Sequence, residues 1–171
     1  MGAVVNDVKL ADSFPTASVV GVALLAAGLT VAVAESCTGG LLGAVLTAIP
    51  GSSEWVRGGV IAYANSVKVG LLGVDADVLN RDGAVSAVVA EQMASGARRS
   101  CGADIGIGIT GVAGPGGGSA SKPVGLIYVS AVGSGLPLTR RLDTDGGREV
   151  NRAAAVRVAL EIVMQLTELA A

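Results

Sequence analysis

The densest chemical signal in the chain is Val31 to Gly40, VAVAESCTGG. Thr30 to Ala34 reads as a buried strand ending on Glu35-Ser36-Cys37, and Thr38-Gly39-Gly40 leads into the apolar run Leu41 to Ile49, which reads as a helix. The first N–H groups of a helix have no intrahelical partners and lie at the positive end of its dipole, where they can hold negative charge. Ser36 stands at that spot, with the amides of Cys37 through Gly40 as candidate oxyanion donors. The same residues also fit an ordinary N-cap by Ser36 or Thr38.

Histidine is absent, which removes the Ser-His-Asp triad, the Cys-His pair and any His-ligated metal. A general base for Ser36 must be a carboxylate, a tyrosine, a thiolate or one of three lysines, Lys9, Lys68 and Lys122. Cys37 and Cys101 stand at neither metal-ligand nor disulfide spacing, which fits a reducing, cytoplasmic setting. The net charge of -2 and the scattered arginines argue against nucleic-acid binding.

The elements that must position these groups follow from pattern. In 171 residues, 51% hydrophobic content with 26 glycines and few aromatics indicates one domain with an Ala/Val/Leu/Ile core, a buried sheet under closely packed helices. Residues 1–13 read as a polar lead-in and 14–171 as the single domain. Ser13 to Ala34 carries no charge, yet Gly28 interrupts it and no basic leader or aromatic belt flanks it. It therefore reads as a helix over Thr16 to Ala27, a Gly28 stop and the strand, with no membrane role expected.

Further on, Val56 to Tyr63 reads as a second strand, and Ser66 as the cap of a short helix through Leu72 that carries Lys68. By itself Lys68 fits a solvated surface lysine equally well. Gly73 to Gly83 reads as a turn region, Ser86 to Ser100 as a helix with Ser86 as cap, and Asp104 to Thr110 as a strand opening into the loop Gly111 to Ser119. Gly106, Gly108 and Gly111 imitate a dinucleotide fingerprint, but a Gly/Pro loop follows where that motif needs a helix. Ser119 to Lys122 imitates S-x-x-K away from any helix. The loop's dense N–H groups suit a ligand, as they also suit a plain surface loop. Val124 to Val132 and Pro137 to Asp143 read as a hairpin. Arg148 to Leu169 reads as the last helix, with Asp145 as cap, Val156, Leu160, Val163, Ile162, Leu166 and Leu169 inward, and Arg157 paired with Glu161. Arg148, a cation in a first turn, calls for either Asp145 or an anionic ligand.

Six stretches occur in order: ESCTGG (Glu35 to Gly40), PGSS (Pro50 to Ser53), GGVIAYANSVK (Gly58 to Lys68), GAVS (Gly83 to Ser86), ITGVAGPGGGS (Ile109 to Ser119) and KPVG (Lys122 to Gly125). Together they resemble the CinA C-terminal domain family of nicotinamide-nucleotide amidohydrolases, over nearly all of the chain from Thr16 onward. The resemblance implies an α/β fold, a three-layer α/β/α sandwich around a largely parallel mixed sheet. It also implies hydrolysis of nicotinamide mononucleotide to the acid and ammonia without metal or cofactor, in pyridine nucleotide recycling.

By matching motif positions, the resemblance makes Ser36 the nucleophile, Lys68 the general base and Tyr63 its helper. Thr38, Gly39, Gly40, Thr110, Gly111, Gly114, Gly116 and Arg148 fall to substrate binding. Arg148 lies in Asp145-Gly146-Gly147-Arg148 where relatives often carry Gly-Asp-Arg, so Arg152 is its competitor for phosphate. A homo-oligomer, most simply a dimer, is expected. Larger members have an additional N-terminal pyrophosphatase domain, which is not expected within these residues. The competing readings are a thiol amidohydrolase using Cys37, whose pKa the helix start would lower, and a nucleotide-binding module without turnover.

Overall fold

The computed structural model describes residues 9–170, so most of the lead-in lies outside the described residues. Five strands, β1 (Val31–Glu35), β2 (Val56–Ile61), β3 (Ile105–Gly111), β4 (Leu126–Val132) and β5 (Leu138–Asp143), form one sheet in the order β2-β1-β3-β4-β5. β1 pairs in parallel with β2 and with β3, whereas β4 runs antiparallel to β3 and β5 antiparallel to β4. The sheet is thus mixed and open, half parallel and half antiparallel. The helices are α1 (Leu10–Ser13), α2 (Thr16–Ala27), α3 (Leu41–Thr47), α4 (Asn65–Leu72), α5 (Ala76–Asp82), α6 (Ala87–Cys101) and α7 (Arg148–Ala170).

Strand alternation divides the core in two. Val31, Val33, Ile105, Ile107 and Ile109 face one side, where they meet Leu24 of α2, Leu42 of α3 and Leu160 of α7. Ala32 and Ala34 face the other side, against Leu72, Leu79, Val89 and Met93 from α4, α5 and α6. The result is the three-layer α/β/α arrangement. The small β1 residues on the second side match the glycines of β3. A Cβ on Gly106 would collide with the backbone carbonyl of Ala94, and one on Gly108 with that of Ala90. The glycines that imitate a dinucleotide fingerprint therefore let α6 lie directly on the strand.

Gly28 (φ 65°) ends α2 and Gly102 (φ 61°) ends α6 in the left-handed conformation, and the Ser86 hydroxyl accepts the Val89 N–H at 3.4 Å. Among the described residues, no helix is long and apolar enough to cross a membrane. Several boundaries differ from expectation. β1 begins one residue later and includes Glu35, because both neighbouring strands continue its ladder to that position. Gly73 to Gly83 is not only turn: it contains α5, capped by the Asp75 carboxylate accepting from the Asp77 N–H at 2.8 Å. The helix with Lys68 starts at Asn65 after Ala64, so Ser66 lies inside its first turn and does not cap it.

At α7, Gly147 rather than Asp145 precedes the first residue, and its carbonyl accepts the Asn151 N–H at 2.9 Å. Leu169, expected to face inward, is exposed near the end of the helix. Arg157 stacks over the Phe14 ring at 5.4 Å and forms no ion pair with Glu161 among the described residues. Lys122 of the S-x-x-K imitation donates its ammonium to the Asp82 carbonyl at the end of α5.

The α6–β3 contact makes a direct prediction. Gly108→Ala forces a methyl group against backbone that side-chain rotation cannot move, so it should destabilise the protein by about 1–3 kcal/mol or more. Urea unfolding followed by circular dichroism measures this, and an unchanged midpoint would contradict the packing account.

Candidate active site

The parallel half of the sheet gathers three loops at one end. Glu35 of β1 lies level with Ile61 of β2 and Ile109 of β3. The Ala62 N–H donates to the Glu35 carbonyl at 2.8 Å, and the Ser36 N–H donates to the Ile109 carbonyl at 2.9 Å. These bonds bring Ser36, the Ala62-Tyr63 segment and Thr110 to the carboxyl edge of adjacent parallel strands. This is the edge at which open α/β sheets bind ligands.

Lys68 reaches this edge from α4. Its ammonium donates to Ser36 Oγ at 3.1 Å, the Ala62 carbonyl at 2.7 Å and the Tyr63 carbonyl at 3.3 Å. Far from being a solvated surface lysine, it is only 1% exposed. Burial disfavours its charged form and lowers its pKa from the ordinary lysine value. In the neutral amine, two N–H groups can stay on the two carbonyls while the lone pair faces the Ser36 hydroxyl.

Glu35 changes the picture drawn from the helix start. Its carboxylate is 1% exposed and accepts from the amides of Gly40 (3.1 Å), Leu42 (3.0 Å) and Gly43 (2.8 Å). The positive end of α3 is therefore occupied by an acid from the chain itself. The Gly39 N–H donates to the Ser36 carbonyl at 3.1 Å, closing a turn over Ser36 to Gly39. Of the four amides proposed as oxyanion donors, those of Gly39 and Gly40 are committed elsewhere, leaving Cys37 and Thr38. Thr38 itself is fully buried, its hydroxyl has no hydrogen-bond partner among the described residues, and its carbonyl accepts from Arg152. Thr38, Gly39 and Gly40 do not line the cleft beside Ser36, because they form the turn that holds the serine.

That cleft encloses about 300 Å³ and is lined by Ser36, Cys37, Tyr63, Lys68, Thr110 and Arg148 together with the loop residues Gly111, Gly114 and Gly116. Thr110 donates its hydroxyl proton to the Ala84 carbonyl at 2.7 Å, so toward the cleft it is an acceptor. Tyr63 is 61% exposed, and its phenol oxygen accepts from Arg148 at 3.4 Å; the part of Tyr63 bonded to Lys68 is its carbonyl. Arg148 also donates to the Gly114 carbonyl at 2.9 Å, so among the described residues the loop and the tyrosine hold it and Asp145, one of its two expected partners, does not. Arg152 does not line the cleft. Asn65, Ala84 and Val85 do, and none of them was singled out from sequence. The signals available were the polar Asn65 inside YANSVK and, for Ala84 and Val85, their place inside GAVS.

The family model for the CinA C-terminal domain matches residues 14–167. The chain belongs to this family. It is 52% identical over 153 residues to a CinA-like protein of Rippkaea orientalis, covering 88% of this chain and 37% of that protein. It is also 52% identical to a putative competence-damage inducible protein of Halothermothrix orenii, covering 78% of this chain and 32% of the relative. The chain thus spans about a third of the length of these curated relatives. Among solved structures it is similar to the competence/damage inducible protein CihA from Agrobacterium tumefaciens, with TM-score 0.88, 43% identity, and coverage of 91% of this chain and 95% of that one.

In this CinA-family chain the thiol beside Ser36 is poorly suited to attack. Cys37 is buried, and desolvation is the main reason its pKa is pushed up to about 11, so at neutral pH it is a protonated thiol. The neighbouring Glu35 carboxylate acts in the same direction. The helix start that would have lowered it is taken by that carboxylate. Native-state labelling with iodoacetamide at pH 7 should leave Cys37 unmodified, and Cys37→Ala should retain most of the wild-type turnover; loss of turnover in a folded Cys37→Ala protein would restore the thiol reading.

Proposed function

We propose that this CinA-family chain is an amidohydrolase that converts nicotinamide mononucleotide to nicotinic acid mononucleotide and ammonia, as a step of pyridine nucleotide recycling. The observation that carries the chemistry is the buried Lys68 ammonium 3.1 Å from Ser36 Oγ, with its other bonds on two carbonyls. The substrate assignment is supported by the ordered motifs shared with the family and by a cleft that offers peptide groups, an acceptor at Thr110 and a cation at Arg148.

In the proposed reaction neutral Lys68 takes the Ser36 proton as Oγ bonds to the carboxamide carbon, and the carbonyl π pair moves to oxygen. The Cys37 amide, on the cleft side of the turn, is the donor for that oxygen and contributes about 3 kcal/mol. The Lys68 ammonium then gives its proton to the departing nitrogen, releasing ammonia and leaving an acyl-serine. Water attacks the ester with Lys68 again as base, and the acid leaves with Ser36 restored. Tyr63 serves through its carbonyl, which orients the amine, and through its phenol, which steadies Arg148. Arg148 and the Gly111 to Gly116 loop receive the phosphate and ribose.

Ammonia release from nicotinamide mononucleotide, compared with nicotinamide and its riboside, tests the assignment. Ser36→Ala should abolish turnover while keeping the fold. Lys68→Arg should be nearly as inactive as Lys68→Ala, because guanidinium keeps the charge but cannot accept a proton. The working form of Lys68 is the uncharged one, so the single-turnover rate should fall as pH drops through its lowered pKa, at a pH below the ordinary lysine range. A Lys68→Arg protein with most of the wild-type rate would end the serine-lysine mechanism.

The phosphate role of Arg148 has its own signature. Arg148→Ala should harm reaction of the mononucleotide far more than that of the riboside. Equal losses on both would make Arg148 a structural or catalytic residue instead.

A further inference from the structure

The first turns of α7 reach the glycine loop of the cleft, the Tyr63 side chain and the turn that holds Ser36. Arg148, Asn151 and Arg152, at the i, i+3, i+4 spacing of one helix face, reach the Gly114 carbonyl, the Ala113 carbonyl (3.0 Å from Asn151 Nδ2) and the Thr38 carbonyl. Arg152 makes the most specific of these contacts. Its Nε and Nη2 both donate to Thr38 O, at 3.2 and 2.8 Å, while Nη1 donates to the two Glu149 carboxylate oxygens at 3.0 and 3.1 Å. Glu149 faces the charge and the Nε–Nη2 edge is taken up by Thr38 O, so that edge of the guanidinium is not a free anion receptor.

The carbonyl it grips is the important one. The peptide joining Thr38 to Gly39 is planar, with its C=O and N–H pointing in opposite directions. Arg152 holds the C=O, which also accepts the Leu41 N–H at 3.2 Å, and Ser36 O holds the N–H of Gly39 at 3.1 Å. That peptide is fixed at both ends, and with it the turn whose amides at Cys37 and Thr38 have no acceptor in another residue among the described residues. Arg152 Nη2 lies 4.0 Å from where a Gly39 Cβ would be, so the guanidinium lies directly against the turn.

We propose that Arg152 is a positioning residue for the nucleophile turn: it touches no substrate but holds the Thr38 carbonyl so that Ser36 and the Cys37 amide keep their place at the cleft, against the carbonyl that Ser36 attacks. The proposal rests on the amidohydrolase reading of Ser36. It separates the two arginines of α7, Arg148 facing the ligand and Arg152 facing the turn.

Arg152→Ala and Arg152→Lys in the full chain test it. Lysine keeps a positive charge and much of the stem but lacks the two-pronged fork. Both variants should lose about 10- to 100-fold in kcat, the range below full loss of an oxyanion donor, with KM for nicotinamide mononucleotide changing about threefold or less. The acid limb of the pH profile should stay in place, since Lys68 keeps its surroundings. Guanidinium ion at low millimolar concentration should restore part of the Arg152→Ala rate, where sodium at equal ionic strength does not. Hydrogen exchange supplies a readout independent of substrate: the Gly39 amide should exchange faster in both variants while β1 amides remain protected. Wild-type kcat in either folded variant, or unchanged Gly39 exchange, would overturn the proposal. A loss confined to KM for the phosphorylated substrate would do so as well, making Arg152 a phosphate ligand. Absence of ammonia release from the wild type would reject the amidohydrolase reading instead, and the exchange measurement would still decide whether the clamp exists.

Discussion

A buried carboxylate is tolerable only when its oxygens are satisfied, and Glu35 has α3 alone to satisfy it among the described residues. Hydrogen bonds to a charged group contribute about 1.5–3 kcal/mol each, so the three amides of Gly40, Leu42 and Gly43 bind the end of β1 firmly to the first turn of α3. The connection between them has one length and one path. Ser36 to Gly39 must turn back within that span, and two left-handed glycines, Gly39 at φ 58° and Gly40 at φ 94°, make the reversal possible. The serine is thereby held at the sheet edge by a constraint that involves neither substrate nor base.

Around this fixed turn the remaining groups arrive from different layers. α4 brings Lys68 from the side of the sheet that carries α6, and α7 brings Arg148, Asn151 and Arg152 from the opposite side. Burying Lys68 disfavours its charged form, and the Ala62 and Tyr63 carbonyls offset part of that penalty while fixing the direction of the amine. Those carbonyls come at the end of β2, whose register with β1 is set by the ladder up to Glu35 and Ile61. Sheet register, helix capping and lysine geometry are therefore one connected arrangement.

Much of the fold was legible because its signals are local. Thr16–Ala27 emerged with both bounds as read, since Gly28 punctuates it and the β-branched run follows at once. The Ser86 cap was likewise visible as a residue type at a fixed offset. α5 was missed because ADVLNRD is only seven residues long between two glycines, too short for a helical period to declare itself. Asp145 was read as a cap by its type, but Gly147 leaves the helix starting two residues beyond its reach. For the site, shared motifs pointed to Ser36, Lys68, Thr110 and Arg148, and the cleft gathers all four.

By itself the sequence determined the alternation of strands and helices, the absence of histidine-based chemistry and the short set of side chains able to do acid-base work. These follow from residue type and near-neighbour spacing. Only the tertiary structure decided which partners those side chains have, because each pairing joins residues far apart in the chain. Residue type cannot distinguish a surface lysine from one 1% exposed beside Ser36, nor a phosphate-binding Arg152 from one fastened to Thr38. Likewise the glycines of β3 differ from a nucleotide fingerprint only through the α6 backbone lying against them. Glu35 is the sharpest instance: by residue type it is one more carboxylate beside Ser36, and only its enclosure by the sheet and α3 makes it the tie that holds the serine in place.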